Sequence, residues 1–446
     1  MAQLSASYRE ILRISTPLIL GNLAWTFNGV FDTIFVGNLG KVELDAIGFA
    51  SVFYSVLFMM GFSFTRGTQI LIARSMGELN RRQVGNIFDN TLLLLSAVSL
   101  VLFLIIQNFS RELLTLMLNT PEIIDKCEVF LDYRIWGLMP SFITFIFIAF
   151  YTGIGKTEIL AVSVTIMTVL NIALNYGLVY GKFGLPALGI KGSGMATAIS
   201  ESVAVAVLFA GVFIKNRRDV FALFKFQKID WSLQWQMARI SVPLMIQTLV
   251  AAGSWVIFFA RIETELGPDP LAVSTIYRQL ILFFTIPTWS LGSTANTIVS
   301  NLMGQRDYAG VKTAVRKISV VSLSFALLSC LLIMLAPDFF IGVFINRYDS
   351  PAILPIAKSA LPVIYIIFIL MSFSNIVFNG VISIGDILIA LGIELVVVMV
   401  YLAYFILILR QTWADVWWVW TSEWLYWGLM FLLSWVYFKI KKLEVL

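Results

Sequence analysis

The sequence predicts an all-α membrane protein with twelve transmembrane helices in two six-helix repeats, related by a pseudo-twofold axis along the membrane normal. Three observations indicate this fold class. Hydrophobic residues make up 59% of the 446 residues and charged residues only 13%, whereas soluble domains contain about 25% charged residues. Apolar blocks of roughly 20–25 residues, long enough to cross a bilayer, recur along the chain. Short motifs also occur twice, half a chain apart.

The breaks between apolar blocks delimit the twelve predicted helices. In chain order they cover 10–36, 46–73, 87–108, 129–152, 159–181, 194–214, 238–262, 271–299, 314–336, 359–384, 388–409 and 417–438. Loops on the side of the N-terminus carry most of the Lys and Arg residues between spans, as cytoplasmic loops do. We therefore expect a multi-pass protein of the inner (plasma) membrane, with both the N- and the C-terminus cytoplasmic.

Three pairs of motifs define the two halves. They are RISTPLIL at 13–20 with RISVPLMI at 239–246, MGELNRRQV at 76–84 with MGQRDYAGV at 303–311, and GIGKT at 153–157 with SIGDI at 383–387. Their order is the same and their offsets nearly constant, which indicates repeats in the same orientation. The sequence predicts an N-terminal lobe at 1–214, a cytoplasmic linker at 215–237 and a C-terminal lobe at 238–446. The linker fits either an interfacial amphipathic helix or a plain connection.

Residue types that are missing exclude several functions. The chain has no histidine, and its two cysteines, Cys127 and Cys330, are far apart, which argues against histidine or thiolate metal sites and against a disulfide framework. No Gly-rich phosphate loop follows a strand pattern, which argues against ATP-driven pumping. The net charge of +5 is attributed to membrane topology. We expect no enzymatic activity, no cofactor and no nucleic-acid partner.

Pro17 and Pro243 occupy the same position in the first pair of motifs. Because proline lacks the backbone N–H that would bond a carbonyl one turn earlier, each is predicted to bend the first helix of its half. The alternative is a proline that is tolerated in the first turns at the membrane edge.

Polar residues inside the predicted spans of the first half are candidates for binding a cation. The candidate cation-coupling residues are Asn28, Asp32, Asn171, Asn175, Thr197 and Glu201. In this order they form three i, i+4 pairs, so the members of each pair share one helix face. Charges within spans usually face a cavity or a partner, and a carboxylate with neutral oxygen ligands suits a small hard cation. Hydrogen bonding between helices is the alternative.

The second half is expected to contribute to substrate binding rather than to ion chemistry. Glu394 and Glu423 lie near the ends of their spans, where they are predicted to snorkel or to pair. A cavity of apolar side chains with a few amides would recognise apolar bulk. The candidate substrate-binding residues are Met60, Phe150, Gln247 and Asn375.

At several of these segments the sequence resembles the multidrug and toxic compound extrusion (MATE) transporters. FDTIFVGNLG at 31–40 is similar to the family's first-helix motif vDtifvGhLG, and GIGKT at 153–157 to the end of its fourth helix. LNIALNYGLVYG at 170–181 and GIKGSGMATAISE at 189–201 are similar to its fifth- and sixth-helix signatures. GFSFTRGTQILIARSMG at 61–77, together with YRIWG, favours the DinF-like branch.

The resemblance implies a secondary antiporter that exports bulky, often cationic lipophilic compounds in exchange for Na⁺ or H⁺ by alternating access. It implies small-molecule substrates, a lipid bilayer as the environment, a monomer, and no metal beyond a Na⁺ at the coupling site. The family's coupling residues correspond to Asp32, Asn171 and Thr197. The chain departs from the family pattern at Asn175, where a carboxylate is usual. It also departs in the seventh helix, where the acid of the NorM-like branch is absent and apolar Ala251 and Ala252 lie near that position.

Three other functions are compared with this one. A lipid-linked oligosaccharide flippase of the same wider superfamily would explain the repeat, but it would usually have more spans and a more basic cavity. A membrane-embedded enzyme would need a catalytic constellation that the sequence lacks. A structural or receptor role would explain neither the repeat nor Asp32.

Overall fold

The computed structural model describes residues 3–118, 120–226, 230–344 and 350–441, which form α-helices joined by short connections, with no β-strand among them. In chain order the helices are α1 (Tyr8–Gly37), α2 (Lys41–Gly77), α3 (Arg81–Thr115), α4 (Pro121–Arg134), α5 (Leu138–Gly153), α6 (Glu158–Tyr180), α7 (Ile190–Ile214), α8 (Arg217–Phe221), α9 (Trp231–Leu266), α10 (Pro268–Phe284), α11 (Ile286–Gln305), α12 (Tyr308–Leu335), α13 (Pro337–Gly342), α14 (Ser350–Ser359), α15 (Leu361–Ile384), α16 (Ile387–Leu409) and α17 (Val416–Ile440). A single 3₁₀ turn, Ile135–Gly137, joins α4 to α5.

Twelve spans can be assigned within the described part of the chain, in agreement with the predicted fold. Ten are long and apolar enough to cross a membrane, with α4 and α5 counted together as one. The α10–α11 pair, bent by 46°, is the eleventh. The twelfth is α17, 25 residues long, whose many Trp and Tyr residues lower its mean hydropathy and are typical of a membrane interface.

The predicted helix at 129–152 is interrupted by the 3₁₀ turn, and the one at 271–299 is broken by a sharp bend. The span expected at 271–299 ends its first helix at Phe284 and starts the second at Ile286. Pro287 lies in the first turn of α11, where a residue without a backbone N–H is tolerated. The break therefore falls just before the proline in the first turn of α11. Hydropathy alone does not show it, because the residues on both sides are apolar.

The repeat is visible in the backbone of the turn before α3 and α12. Leu79 and Arg306 both have positive φ, at 60° and 62°. The following residues, Asn80 and Asp307, cap the next helix by accepting from the N–H three residues later. The matched motifs thus fold into the same local structure, with the N-cap residue type that helix starts prefer.

The chain forms two compact units whose limits differ from the predicted lobes. The N-unit is Thr16–Val242, and the C-unit consists of Met1–Ser15 together with Pro243–Leu446. The first residues belong to the C-unit because its side chains bind them: the Leu4 N–H donates to Asn301 Oδ1 at 3.0 Å, and Lys317 Nζ donates to the Ala6 carbonyl at 2.9 Å.

The predicted linker belongs to the N-unit and is not an extended amphipathic helix. Only α8 is helical between α7 and α9, and residues 227–229 of the predicted segment lie outside the described residues. Phe224 and Phe226 have positive φ, which ends helical structure. Asp89 of α3 accepts from the backbone N–H groups of Phe224, Lys225 and Phe226 at 2.8, 2.9 and 3.2 Å.

Pro17 and Pro243 lie inside α1 and α9, which continue through them. Each is within two residues of a limit between the units, which falls at Ser15–Thr16 in α1 and at Val242–Pro243 in α9. The predicted bend at each proline stays a prediction.

Aromatic side chains form much of the core of the C-unit. Trp420 is fully buried, and the rings of Phe258 and Tyr277 lie 5.2 and 5.5 Å from it, both edge-on. Its indole N–H donates to Ser274 Oγ at 3.0 Å. The core therefore joins α9, α10 and α17 around one side chain.

Candidate cation-binding site

The carboxylate of Asp32 on α1 contacts polar side chains of α6 and α7 within the N-unit. Asn175 Nδ2 donates to Asp32 Oδ1 at 2.7 Å, and Thr197 Oγ1 lies 3.2 Å from Oδ2. Asn175 and Thr197 are buried, whereas Asp32 is partly exposed. Three of the predicted coupling residues are therefore in direct contact, around a carboxylate that an ion can reach.

Asn171 holds the two donors in position. Its Nδ2 donates to Thr197 Oγ1 at 3.1 Å, and its backbone and side-chain oxygens each lie 3.0 Å from Asn175 Nδ2. The i, i+4 spacing on α6 places both amides on the face toward α7. Asn171 thus supports the site through Asn175 and Thr197.

The hydroxyl of Thr197 has two acceptors for one hydrogen. Besides Asp32 Oδ2, the carbonyl of Ser193 lies 3.1 Å from Thr197 Oγ1. The hydrogen can therefore point to Asp32 when the carboxylate is empty, or to Ser193 when a cation occupies it. In the second arrangement a lone pair of the hydroxyl faces the cation.

Two buried amide oxygens near Asp32 have no hydrogen-bond partner within the described residues. They are Asn28 Oδ1, one helical turn before Asp32, and Asn175 Oδ1. An unsatisfied buried acceptor costs about 1–3 kcal/mol, so such atoms call for an explanation, for which an ion is one candidate. The oxygen atoms that could bind a cation here belong to one carboxylate, two amides and one hydroxyl.

Glu201, the sixth predicted coupling residue, is engaged elsewhere. Its carboxylate receives both terminal nitrogens of Arg134, at 2.8 and 2.7 Å, and both residues are buried. The Tyr54 ring covers the guanidinium at 3.9 Å. Gly137 makes room for the pair, since a Cβ there would lie 2.2 Å from Glu201 Oε2. The structure therefore gives Glu201 an ion-pair partner rather than a free place beside Asp32.

The charges of this cluster leave one negative charge unbalanced. Asp32 and Glu201 are acids, and Arg134 supplies one positive charge within electrostatic range of both. Within the described residues no group of three His, Cys, Asp or Glu side chains could hold a metal ion. A single proton or Na⁺ at Asp32 would neutralise the cluster.

From the sequence, Arg134 is a possible structural counter-charge inside a span, without a named partner, and Tyr54 has no assigned role. Arg134 lies at the end of α4, and its partner on α7 is 67 residues away, so no local spacing reveals the pair. The available signal was the cost of an arginine inside a span, which requires a counter-charge nearby.

Two of the predicted substrate-binding residues, Met60 and Phe150, lie in the N-unit, and the other two, Gln247 and Asn375, lie in the C-unit. Phe150 has no exposed surface and packs against Phe88 and Phe221, so it has a packing role in this structure. Met60 on α2 is partly exposed.

The two amides expected to bind substrate are occupied within the C-unit. Gln247 Nε2 donates to Glu394 at 3.3 Å. Asn375 donates to the Thr288 carbonyl at 3.1 Å and accepts from Asn379 Nδ2 at 3.0 Å. Both serve contacts between helices here, as in the alternative that hydrogen bonding accounts for such residues.

Comparison with known proteins gives one family and one fold. The profile of the MatE family matches residues 17–177 and 240–408. A probable multidrug resistance protein NorM of Thermotoga maritima is 25% identical over 358 residues, which cover 80% of this chain and 75% of that protein. The probable multidrug resistance protein YoeA of Bacillus subtilis is 26% identical over 318 residues, 69% of this chain and 67% of that protein.

Solved structures share the fold at low sequence identity. An outward-facing multidrug resistance MATE family transporter of the MOP superfamily superimposes with a TM-score of 0.90 at 17% identity, covering 99% of this chain and 97% of that chain. A crystal structure of MATE in complex with MaL6 gives a TM-score of 0.90 at 17% identity, over 98% and 96% of the two chains. The relatives named here are not DinF proteins, so the DinF-like branch stays a prediction.

Proposed function

Because the chain belongs to the MatE family, we propose that it is a secondary active antiporter that exports bulky, often cationic lipophilic compounds in exchange for Na⁺ or H⁺. This family consists of transporters, so the chain is a multi-pass membrane transport protein and not an enzyme. Its relatives are named multidrug resistance proteins, which supports multidrug efflux. The proposal includes the inner membrane as its location and cytoplasmic termini.

The observation that carries the proposal is the group of oxygen atoms around Asp32 that could bind a cation. A partly exposed carboxylate lies among buried, positioned donors, and two amide oxygens beside it lack partners. Carboxylates and neutral oxygens of this kind bind Na⁺ or protons in transporters. All of these residues lie in the N-unit, so the proposed site needs no second subunit. A monomer, and no cofactor besides the transported ion, are part of the proposal.

Coupling follows if the ion and the exported compound affect each other's affinity through this site. Such a coupling free energy acts equally in both directions. A bound H⁺ or Na⁺ removes the unbalanced charge of the Asp32 cluster, whereas a cationic compound is favoured when that charge is present. Ion binding therefore opposes binding of the compound, as exchange by alternating access requires.

The test is efflux of a cationic dye from proteoliposomes, with Na⁺ and pH gradients imposed separately. Asp32→Asn keeps the size and hydrogen-bonding capacity of the side chain but cannot gain or lose the charge. We expect the variant to insert normally and to lose gradient-driven efflux, while Asp269→Asn, at an exposed acid of α10, exports at the wild-type rate. Wild-type efflux by Asp32→Asn under the same gradient would place the coupling group elsewhere.

A further inference from the structure

The buried Arg134–Glu201 pair lies close to the Asp32 site, within the same unit. Glu201 follows Thr197 by four residues on α7, so the two side chains share one face of that helix. Thr197 Oγ1 in turn lies 3.2 Å from Asp32 Oδ2. Asp32, Arg134 and Glu201 all belong to the N-unit. The ion pair is therefore a charged group fixed beside the proposed cation site.

The guanidinium of Arg134 is held toward Glu201 by its surroundings. Both of its terminal nitrogens donate to the Glu201 carboxylate, at 2.8 and 2.7 Å, and the centroid of the Tyr54 ring lies 3.9 Å from Arg134 Cζ. Arg134 and Glu201 are 9% and 2% exposed, so water competes little for these bonds. A side chain at Gly137 would overlap both partners, because the backbone encloses them closely. Arg134 would have to break both bonds to Glu201 before it could bind Asp32.

Arg134 also acts on Asp32 through space. The charged groups of this cluster are Asp32 on α1, Arg134 on α4 and Glu201 on α7, while α2 contributes the ionisable Tyr54 and α6 contributes neutral amides. The guanidinium attracts the Asp32 carboxylate from within electrostatic range. Glu201 acts on Asp32 chiefly through the guanidinium that it binds. A cation at Asp32 is therefore repelled by Arg134.

This repulsion depends on the charge of the cation. Coulomb energy is proportional to the product of the two charges, so the guanidinium repels a divalent cation twice as strongly as it repels Na⁺ or H⁺. Because affinity depends exponentially on energy, a factor of about 10 for a monovalent cation becomes a factor of about 100 for a divalent one. A fixed positive charge near the site thus selects for monovalent cations.

We propose that Arg134 determines the cation specificity of the Asp32 site, because its charge excludes divalent cations and limits the affinity for a monovalent one. Glu201 is a positioning residue that keeps Arg134 from binding Asp32 in place of the cation. The inference rests on the proposed function, which it deepens by stating the class of cation that the site accepts. Loss of Arg134 strengthens cation binding, whereas loss of Glu201 frees the guanidinium to compete for Asp32. A purely structural role would instead weaken binding in both cases.

Equilibrium binding of radioactive Na⁺ to the purified full-length protein, at one alkaline pH and without a gradient, tests the proposal. We expect Arg134→Gln to bind Na⁺ about tenfold more tightly than the wild type and Glu201→Gln to bind it several-fold more weakly. Mg²⁺ and Ca²⁺ should displace Na⁺ from Arg134→Gln at concentrations that leave the wild type unaffected. Arg111→Gln, which removes an exposed arginine from its pairs with Asp125 and Glu128, is the control and should bind as the wild type does.

A double variant covers the case in which Glu201 without its partner prevents folding. Arg134→Gln/Glu201→Gln leaves no unpaired charge in the pair and still lacks the guanidinium. Na⁺ should again bind about tenfold more tightly than in the wild type, and Mg²⁺ and Ca²⁺ should compete. Unchanged or weaker Na⁺ binding by this variant overturns the proposal, as does tight Na⁺ binding that the divalent cations do not disturb.

The same assay tests the proposed function separately, through Asp32→Asn. Na⁺ binding at the wild-type affinity in this variant would remove Asp32 as the site. Binding that depends on Asp32 but is unaltered in the Arg134 variants would overturn only the specificity proposal. If the wild type binds H⁺ and not Na⁺, the pH of half-maximal dye efflux becomes the readout. Loss of Arg134 should then move that pH upward by about one unit, and an unchanged or lower value overturns the proposal.

Discussion

Asp32 is only partly enclosed, whereas the side chains of Asn175 and Thr197 that donate to it are buried. The charged carboxylate of Asp32 is therefore accessible, whereas the packing of the protein fixes the two side chains that donate to it. A positioned set of donors costs little reorganisation when an ion arrives. Selectivity between Na⁺ and H⁺ then depends on the number of oxygens that reach the ion.

Asn175→Asp tests that dependence. Because Asn175 Nδ2 lies 2.7 Å from Asp32, the change brings a second carboxylate into contact and doubles the unbalanced charge. We expect the half-saturating Na⁺ concentration for dye efflux to fall at least tenfold. A tenfold change is about 1.4 kcal/mol, less than the roughly 4 kcal/mol with which unit charges 4 Å apart interact at an effective dielectric constant of 20. The measurement is a Na⁺ titration of efflux at fixed pH. Asn108→Asp, at an exposed position of α3, is the control, and an unchanged titration would contradict the prediction.

Arg134→Gln tests the buried ion pair. The change leaves Glu201 buried without its guanidinium partner, so we expect a loss of about 3–5 kcal/mol in the free energy of unfolding, measured as a lower thermal midpoint. The double variant Arg134→Gln/Glu201→Gln removes both charges and should recover most of the loss. Arg111→Gln, which breaks a pair whose Arg111 side chain is 53% exposed, should cost at most about 1 kcal/mol. Equal midpoints for the two arginine variants would show that burial of the pair is unimportant.

At the scale of the element, the connection between α8 and α9 is held by one side chain. Asp89 accepts three successive backbone N–H groups, an arrangement that binds anions well. The helix α3 also lies close to this segment at Gly85, where a Cβ would be 2.0 Å from the Phe221 carbonyl oxygen. The connection is therefore packed on α3 rather than loosely joined to it.

Asp89→Ala should release this connection. It removes one carboxylate and leaves three N–H groups without their acceptor, so we expect a loss of about 2–3 kcal/mol in stability and faster proteolysis between α8 and α9. Asp219→Ala, at an exposed acid of α8, controls for removal of a nearby charge. Equal proteolysis rates for the two variants would mean that Asp89 does not hold the segment.

The sequence was sufficient for most elements, because spans depend on local composition and periodicity. Apolar blocks predicted the spans, and i, i+4 pairs marked Asp32, Asn175 and Thr197 as candidates on their separate helices. Contacts between distant segments could not be derived. The Arg134–Glu201 pair joins residues 67 apart, and Asp89 binds a segment about 135 residues later. Positive φ at Phe224 and Phe226 leaves no mark on hydropathy, so the sequence could not decide between an amphipathic helix and a plain connection for the linker.

For the whole molecule, the limits between the units fall beside Pro17 and Pro243. Proline removes one backbone hydrogen bond from its helix, so both helices are weakened where they pass from one unit to the other. If transport alternates between two conformations, these are the places in α1 and α9 where a change of helix direction costs least.

Pro17→Ala and Pro243→Ala should therefore slow dye efflux several-fold without lowering thermal stability, because alanine restores the missing N–H. Pro140→Ala, at the start of α5 within the N-unit, is the matched control and should export at the wild-type rate. Wild-type efflux by both variants would remove the assigned role of the two prolines.

The N-terminal segment has a consequence for the order in which the protein is made. Leu4 is bound by Asn301 and Gln305, and Ala6 by Lys317, partners that follow 297 to 311 residues later in the chain. At about 5–20 residues per second the ribosome needs roughly 15–60 s to reach them. The first residues to emerge thus wait for most of synthesis before they can dock, and the C-unit stays incomplete until they do. A bulky fusion at the N-terminus would therefore impair folding of the C-unit, the half of the protein that is made last.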